Sequence, residues 1–150
     1  MKIAIVGSRR MSNYGKKVIS KLSFDKDEIV TIEVSGCNRE ILQIKIKNGG
    51  KYKLFSGENF EELNEKVAEY ADFLIIIEGG KNSGTILLAN KFVEKNKLVY
   101  CVPGRIDDDN SWACNWLISQ GAIPLIEFDQ LTEGDMIDDN DKDEKTFIDS

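Results

Sequence analysis

The stretch FLIIIEGGKNSGT, which spans residues 73–85, determines the architecture that the rest of the sequence has to fit. Its first five residues are all apolar, as is typical of a parallel strand buried on both faces of a sheet. Gly79 and Gly80 then allow a tight turn, and Ser83 begins a helix predicted over 83–96. A buried strand, a glycine-rich turn and a helix form the repeating unit of an α/β fold.

The same alternation continues on both sides of residues 73–85. Strands are predicted over 2–6, 28–34, 98–102 and 123–126, and helices over 14–22, 58–71 and 111–120. Helices between strands make parallel βαβ units, whose crossover is right-handed. We therefore predict a three-layer, Rossmann-like α/β fold, with a mostly parallel central sheet flanked by helices, in one domain over residues 1–132.

Residues 37–55 allow two interpretations. Residues 44–54 alternate in polarity around an Asn-Gly-Gly turn at 48–50, which is typical of a β-hairpin. The apolar residues between Cys37 and Ile44 also lie on one face of a helix, which the same glycines could end. The local pattern favours the hairpin.

The composition is that of an ordinary globular protein. Hydrophobic residues make up 41% of the 150 residues and charged residues 31%, and a chain of this length can bury a sizeable core in one domain. The longest apolar runs are far shorter than the roughly 20 residues that a membrane-spanning helix needs. The N-terminus enters a strand directly, without the apolar stretch and cleavage site of a signal peptide. We expect a cytoplasmic protein that does not associate with membranes.

The net charge of −6 is concentrated at the C-terminus. Residues 133–150 contain eight acidic and two basic side chains, whereas residues 1–132 contain 18 of each. We predict that the acidic segment is a disordered tail. The rest of the chain is neutral and therefore lacks the basic excess that is typical of a nucleic-acid-binding domain.

Histidine is absent, and the three cysteines, Cys37, Cys101 and Cys114, show no C-x-x-C spacing. The commonest general base and the commonest zinc ligand are therefore missing. We interpret the cysteines as small residues buried in the core. The sequence predicts no catalytic residue, no metal site and no cofactor.

Three turns between a strand and the following helix contain the candidate binding residues. The carboxyl ends of parallel strands share one edge of the sheet, where helix N-termini point free N–H groups, so this edge suits an anion such as phosphate. The candidates are Gly7, Ser8 and Arg9 in the first turn, Ser35, Gly36 and Arg39 in the second, and Gly79, Gly80, Lys81, Ser83, Gly84 and Thr85 in the third. Neither a Walker A sequence nor a G-x-G-x-x-G fingerprint occurs.

Four motifs, in order along the chain, resemble the DNA-processing protein A (DprA/Smf) family. They are Gly7-Ser8-Arg9 with Ser12, Tyr14 and Gly15; Val34-Ser35-Gly36 with Arg39; Ser83-Gly84-Thr85-Ile86; and Val102-Pro103-Gly104 with Asn115 and Gln120-Gly121-Ala122. The resemblance implies a domain that binds single-stranded DNA without catalysis, assists a recombinase in recombination or transformation, and forms a homodimer. It also adds Asn64 and Gly104 to the candidate site, and it favours a helix followed by a strand over residues 37–55.

One family segment, rich in arginines that bind single-stranded DNA, differs in this chain. It falls on residues 60–71, where Phe60, Asn64 and Ala68 match but Glu62, Leu63 and Glu65 replace the arginines. Acidic residues at these positions weaken phosphate binding. An alternative is therefore a nucleotide-binding sensor or carrier of the wider SLOG superfamily, which recognises a small phosphorylated ligand. A phosphoribohydrolase-type enzyme of that superfamily fits less well, because Leu88 stands where its catalytic glutamate is expected.

Overall fold

The computed structural model describes residues 1–24, 26–33, 37–47 and 50–131, and strands and helices alternate throughout this part of the chain. The elements are β1 (Lys2–Val6), α1 (Asn13–Lys21), β2 (Glu28–Ile32), α2 (Cys37–Lys47), β3 (Lys51–Phe55), α3 (Phe60–Tyr70), β4 (Phe73–Ile76), α4 (Thr85–Glu94), β5 (Val99–Cys101), α5 (Trp112–Ser119) and β6 (Ile123–Pro124). A short 3-10 turn, Asp109–Ser111, leads into α5. The acidic segment 133–150 lies outside the described residues.

The strands form one six-stranded sheet in the order β3-β2-β1-β4-β5-β6, with β3 and β6 at its edges. Every pair of neighbouring strands is parallel; Ile3 of β1, for example, pairs with Ile29 on one side and with Phe73 on the other. The chain runs outward from β1 to β3 and then returns to β4 on the other side of β1. Turns on either side of such a switch point diverge and leave a crevice between them.

Helices cover both faces of the sheet, because successive side chains of each strand point to opposite sides. On one face, Ile3 and Ile5 of β1 pack with Val18 and Ile19 of α1 and with Ile41 of α2. On the other face, Ala4 and Val6 belong to a cluster with Leu63 and Val67 of α3, Leu88 and Phe92 of α4, and Leu117 of α5. The prediction of a three-layer, Rossmann-like α/β fold is confirmed, with a sheet that is parallel throughout.

The hairpin that the local pattern favours over residues 37–55 is wrong, and the helix followed by a strand is confirmed. Residues 51–55 pair in parallel with β2, from Glu28 opposite Lys51 to Ile32 opposite Phe55. The preceding helix, α2, buries Ile41, which is 3% exposed, against the sheet. The alternation of polar and apolar residues around two glycines reflects only local geometry. The helix and strand form instead because they bury an apolar helical face and complete the edge of the sheet.

Lys97, between α4 and β5, holds the C-terminal end of α3. Its Nζ donates to the carbonyl oxygens of Ala68 at 2.6 Å, Glu69 at 2.9 Å and Ala71 at 2.7 Å. The last carbonyls of a helix have no partner within the helix, and a cation there also interacts favourably with the helix dipole.

We expect Lys97→Met to lower the free energy of unfolding by about 1–2 kcal/mol, because three carbonyl groups lose their donor. Urea unfolding monitored by circular dichroism measures the change. Lys66→Met, at an exposed position of α3, is the matched control, for which we expect a change of less than about 0.5 kcal/mol. Equal losses in the two variants would contradict this role for Lys97.

None of the helices in the described ranges combines the length and the apolar character that crossing a bilayer requires.

Candidate functional site

A cleft of about 590 Å³ opens where β1 and β4 end, at the switch point of the sheet. Its walls come from the end of β1 and the turn after it, the end of β2, the first turns of α2 and α3, and the turn that leads from β4 into α4. The volume lies within the usual range of small-molecule sites. The turns after β1 and β4 therefore contribute to one cavity.

The cleft brings together part of the predicted site. The predicted residues that line it are Gly7, Ser8, Arg9, Asn64, Gly80, Ser83, Gly84 and Thr85. Among the described residues, those that do not line it are Arg39, Gly79, Lys81 and Gly104. Ser35 and Gly36 lie outside the described residues. Arg39 is an exposed residue of α2, and the exposed Lys81 extends its Nζ to 5.7 Å from the ring centroid of Trp112.

Asn38 fixes the turn after β1. Its Oδ1 accepts a hydrogen bond from the N–H of Gly7 at 3.1 Å, and its Nδ2 donates to the carbonyl oxygen of Ile32 at 3.0 Å. The side chain is 3% exposed and lines the cleft. It thus joins the ends of β1 and β2 directly beneath Ser8 and Arg9. Sequence reasoning missed this role, for which the only signal was a polar residue at the start of a predicted helix.

The start of α4 provides the opposite wall. Its N-cap is Gly84, which offers no capping side chain, and the positive end of the helix dipole favours an anion there. The Ser83 and Thr85 hydroxyl groups are 2.8 Å apart, and the N–H of Thr85 donates to Ser83 Oγ at 3.2 Å. A Cβ at Gly84 would have no neighbouring atom within 4 Å, so the backbone here is open to the cleft.

Gly79 and Gly104 do not line the cleft, and both are held by hydrogen bonds with α5 or the 3-10 turn before it. The N–H of Gly79 donates to the Asn110 carbonyl at 2.7 Å, and the Gly79 carbonyl accepts from Ala113 N–H at 2.9 Å. The side chain of Asn115 bonds to both the N–H and the carbonyl of Gly104, each at 3.1 Å. Both glycines also pack too closely for a side chain: a Cβ would lie 2.8 Å from Ser83 Oγ at Gly79 and 1.9 Å from Ser111 Oγ at Gly104.

Glu78 connects the two walls from inside the protein. It is 1% exposed, and its carboxylate accepts hydrogen bonds from the N–H and the hydroxyl of Ser12, both at 2.7 Å. Ser12 is the N-cap of α1 and accepts from Gly15 N–H through the same hydroxyl. The turn after β4 is thereby attached to the helix that follows the turn after β1. A carboxylate at a helix N-terminus is also favoured by the helix dipole.

Two acidic residues of α3, Glu61 and Glu65, are engaged with lysines of α4. Lys91 Nζ lies 3.8 Å from Glu61 Oε1 and 3.5 Å from Glu65 Oε2, and Lys95 donates a hydrogen bond to Glu65. The hydrogen bond from Lys95 lowers the pKa of the partly exposed Glu65 carboxyl group. These two lysines are therefore occupied by α3, and among the described residues that line the cleft the only cationic side chain is that of Arg9.

The prediction that the cysteines are buried is confirmed for Cys101 and Cys114, which are both 0% exposed; the side chain of Cys37 lies outside the described part of the chain. The hydrogen bond between the Cys114 and Cys101 side chains, together with burial, raises the pKa of the Cys114 thiol far above its ordinary value. Since the thiolate is the reactive form, Cys114 is an inert core residue.

Comparison with known proteins identifies relatives. Protein Smf of Escherichia coli (strain K12) is 29% identical over 75 residues, which cover 50% of this chain and 20% of the relative. The DNA processing protein DprA of Bacillus subtilis (strain 168) is 24% identical over 172 residues, which cover 88% of this chain and 58% of the relative. The chain thus spans less than two thirds of the length of these curated relatives.

Two solved structures share the fold. DNA processing protein A from Streptococcus pneumoniae superposes with a TM-score of 0.78 at 25% identity, covering 88% of this chain and 61% of that one. DNA processing protein A from Helicobacter pylori, whose structure concerns its single-stranded DNA binding mode, superposes with a TM-score of 0.70 at 18% identity, covering 87% and 77%. At that identity, the second likeness concerns the fold alone.

The family model described as DNA recombination-mediator protein A matches residues 51–134, which is more than half of the chain. The matched region runs from β3 to the last described residues and contains α3 and the turn from β4 into α4, which form much of the cleft. The resemblance to DprA/Smf proteins noted in the motifs is confirmed, and the chain belongs to the DNA recombination-mediator protein A family.

Proposed function

We propose that this chain binds single-stranded DNA through its phosphate backbone at the cleft, and that it does so as a non-catalytic DNA-processing protein. The observation that carries the proposal is the meeting of two turns at one cleft: Ser8 and Arg9 after β1, and Ser83 to Thr85 at the start of α4. A guanidinium group, hydroxyl groups and helix N–H groups around one cavity suit a phosphate. The single-stranded DNA binding of the similarly folded H. pylori protein supports the same ligand class.

Binding is favoured over hydrolysis by the chemistry of the lining. Among the described residues that line the cleft, none is acidic, and none is a histidine or a cysteine. The lining therefore offers no ordinary general base or nucleophilic thiol. Leu88, at the position where the phosphoribohydrolase resemblance expects a glutamate, lines the cleft and is 2% exposed. The nearby Glu78 carboxylate is buried and accepts two hydrogen bonds from Ser12.

A nucleotide-binding sensor or carrier is the second candidate, and the charge around the cleft favours it. Arg9 is the single cation in the described lining, and the nearby Lys91 and Lys95 of α4 are paired with Glu61 and Glu65 of α3. A long phosphate chain gains little from such a surface, whereas one phosphorylated nucleotide fits a cavity of about 590 Å³.

A recombinase partner and a homodimer, which the DprA/Smf resemblance implies, belong to the first proposal. They concern the whole protein of each relative, of which this chain spans only part. Light scattering of the purified chain tests the homodimer independently of any ligand.

We expect labelled oligo-dT to bind with an affinity that falls as salt is raised, by about 0.7 log units per tenfold salt increase for each phosphate contact. Arg9→Ala should weaken binding about tenfold and reduce that slope by about 0.7, because one charge-assisted contact is lost. Fluorescence anisotropy at two or more salt concentrations measures both quantities. The fold should be unaffected, since Arg9 is exposed.

Arg105→Ala is the matched control, because Arg105 is exposed, pairs with Asp107 at 2.9 Å and does not line the cleft. An Arg9→Ala variant that binds oligo-dT as the control does would place the phosphate elsewhere and contradict the proposal. If oligo-dT does not bind, and a mononucleotide raises the melting temperature instead, the second candidate replaces the first.

A further inference from the structure

Helix α1 carries a row of cations on its outer surface. Its sequence, NYGKKVISK, contains three lysines and no acidic residue. Lys16, Lys17 and Lys21 are all exposed, and they lie on the side of the helix opposite the buried Val18 and Ile19. Among the described residues, none of the three lysines forms a salt bridge. We refer to these three side chains as the lysine patch.

The lysines on the other face of the sheet are already engaged. Lys91 and Lys95 of α4 pair with Glu61 and Glu65 of α3, and the Lys97 Nζ donates to the carbonyl oxygens at the end of α3. Ion pairs on that face therefore bind one helix to another. The lysine patch has no such neighbour, so its charges are available to an acidic group from elsewhere.

The end of the described chain lies against α1. A small groove of about 100 Å³ separates the helix from the residues that follow β6, and its lining includes Tyr14 and residues 125–128. The Nζ of Lys21 lies 5.3 Å from the ring centroid of Phe128. Leu131, the last described residue, belongs to the core cluster on the α1 side of the sheet. The chain therefore enters the acidic segment 133–150 on the same side of the sheet as the lysine patch.

The acidic segment 133–150 matches this surface in charge and in length. It contains eight acidic and two basic side chains. Fully extended, it spans at most about 60 Å, whereas α1, with nine residues, is about 14 Å long. Its attachment to the domain gives it a local concentration on the order of millimolar. The weak ion pairs that are typical of exposed groups are therefore enough to hold it on the helix.

Exposed apolar side chains beside the lysine patch add to this match. Ile126 is 72% exposed and Phe128 45% exposed, and both line the groove next to α1. The acidic segment contains two apolar pairs, Met136-Ile137 and Phe147-Ile148, among its carboxylates. Contact between these pairs and the groove removes apolar surface from water, while the neighbouring carboxylates reach the lysines.

We propose that the acidic segment 133–150 binds to the lysine patch of α1 in the same chain, which makes the patch an internal docking surface. The bound segment neutralises the patch and keeps other polyanions away from α1. None of the three lysines lines the cleft where β1 and β4 end. The inference therefore goes beyond the proposed function and stands independently of it.

Carbodiimide crosslinking of the full chain tests the contact directly, because the reagent joins a lysine amine to a carboxylate only where the two groups touch. We expect crosslinks between the lysine patch and the acidic segment at the mass of one chain, located by mass spectrometry. Raising the salt concentration from about 0.1 M to about 1 M should remove most of them, since the Debye length falls from about 10 Å to about 3 Å. The control lysines, which are exposed on β3 and α3, are Lys51, Lys53 and Lys66.

Binding of labelled heparin, a polyanion without bases, tests whether the acidic segment covers the lysine patch. A neutralised segment carries Asp138→Asn, Asp139→Asn, Asp141→Asn and Asp143→Asn. We expect this variant to bind heparin at least about fivefold more tightly than the unaltered chain, because the patch becomes accessible. Fluorescence anisotropy measures the affinity.

Two lysine backgrounds separate the patch from the change in net charge. In a chain that also carries Lys16→Gln, Lys17→Gln and Lys21→Gln, most of the gain in heparin affinity should disappear, because the two sets of residues are coupled. The matched control removes the same charge at Lys51, Lys53 and Lys66, and it should retain the gain. All six lysines are exposed, so circular dichroism should show folded proteins.

Three results would overturn the inference. Crosslinks that join the acidic segment equally to the lysine patch and to the control lysines would show that it has no preferred surface. Crosslinks found only between two chains, and increasing with protein concentration, would make a second copy the occupant. An equal gain in heparin affinity in both lysine backgrounds would show that the segment does not cover the patch. The phosphate site is tested separately by Arg9→Ala.

Discussion

Glu78→Ala should lower the free energy of unfolding by about 3 kcal/mol. The side chain is 1% exposed and among the largest that are fully buried, so its removal leaves a cavity. The N–H and hydroxyl of Ser12 also lose their acceptor, and α1 loses a negative charge at its N-terminus. Urea unfolding at neutral pH measures the change.

Three further variants identify the cause of that loss. Glu78→Gln keeps the volume and one acceptor, so we expect a smaller loss of about 1–2 kcal/mol. A double-mutant cycle with Ser12→Ala should give a coupling energy of at least about 1 kcal/mol, because the two residues contact each other directly. Glu94→Ala, at an exposed position of α4, is the control and should change stability by less than about 0.5 kcal/mol. A Glu78→Ala variant as stable as this control would show that the connection between α1 and the turn after β4 is unimportant.

Gly104→Ala is expected to cost about 2–3 kcal/mol of unfolding free energy, the upper part of the range found for overpacked sites. The new Cβ would lie 1.9 Å from Ser111 Oγ and 2.6 Å from Ser111 Cβ. The backbone at Gly104 cannot move away easily, because the Asn115 side chain bonds to its N–H and its carbonyl. Thermal and urea unfolding of the variant give the magnitude.

Relief of the clash provides the decisive comparison for Gly104. Ser111→Gly removes both atoms that the new methyl group meets, and glycine in place of serine at an N-cap costs only a few tenths of a kcal/mol. The double variant Gly104→Ala with Ser111→Gly should therefore recover more than about 1 kcal/mol relative to Gly104→Ala alone. Gly84→Ala is the control, since its Cβ would meet no atom within 4 Å. Failure of the double variant to recover stability would mean that the cost does not arise from Ser111.

The parts of the fold that could be predicted from the sequence are those with a local cause. The apolar run at 73–77 predicts β4, because a strand that is buried on both faces has no polar position. The local pattern favours the wrong structure for residues 37–55, because the identity of this segment depends on the pairing of β3 with β2 across the intervening helix. An alternating pattern of polar and apolar residues does not indicate which strand the segment pairs with.

The candidate site shows the same division. Gly7 to Arg9 and Ser83 to Thr85 line the cleft, and both groups could be found because glycine-rich turns before helices have a recognisable composition. The part played by Asn38 could not, because it depends on the carbonyl oxygen of Ile32 and the N–H of Gly7. The sequence predicts Gly79 as a binding residue, yet its backbone is bonded to Asn110 and Ala113. A glycine needed for close packing and one needed for ligand approach look alike in a sequence.

The ends of the sheet limit how two copies of this chain can associate. At one end, β3 exposes Lys51 and Lys53; at the other, β6 has two residues and finishes with Pro124, which has no N–H to donate. Lysines, short length and proline are the devices that keep strand edges from recruiting further strands. Among the described strands, both edges thus carry features that disfavour the addition of a strand from a neighbouring molecule. A continuous twelve-stranded sheet across two subunits is therefore disfavoured.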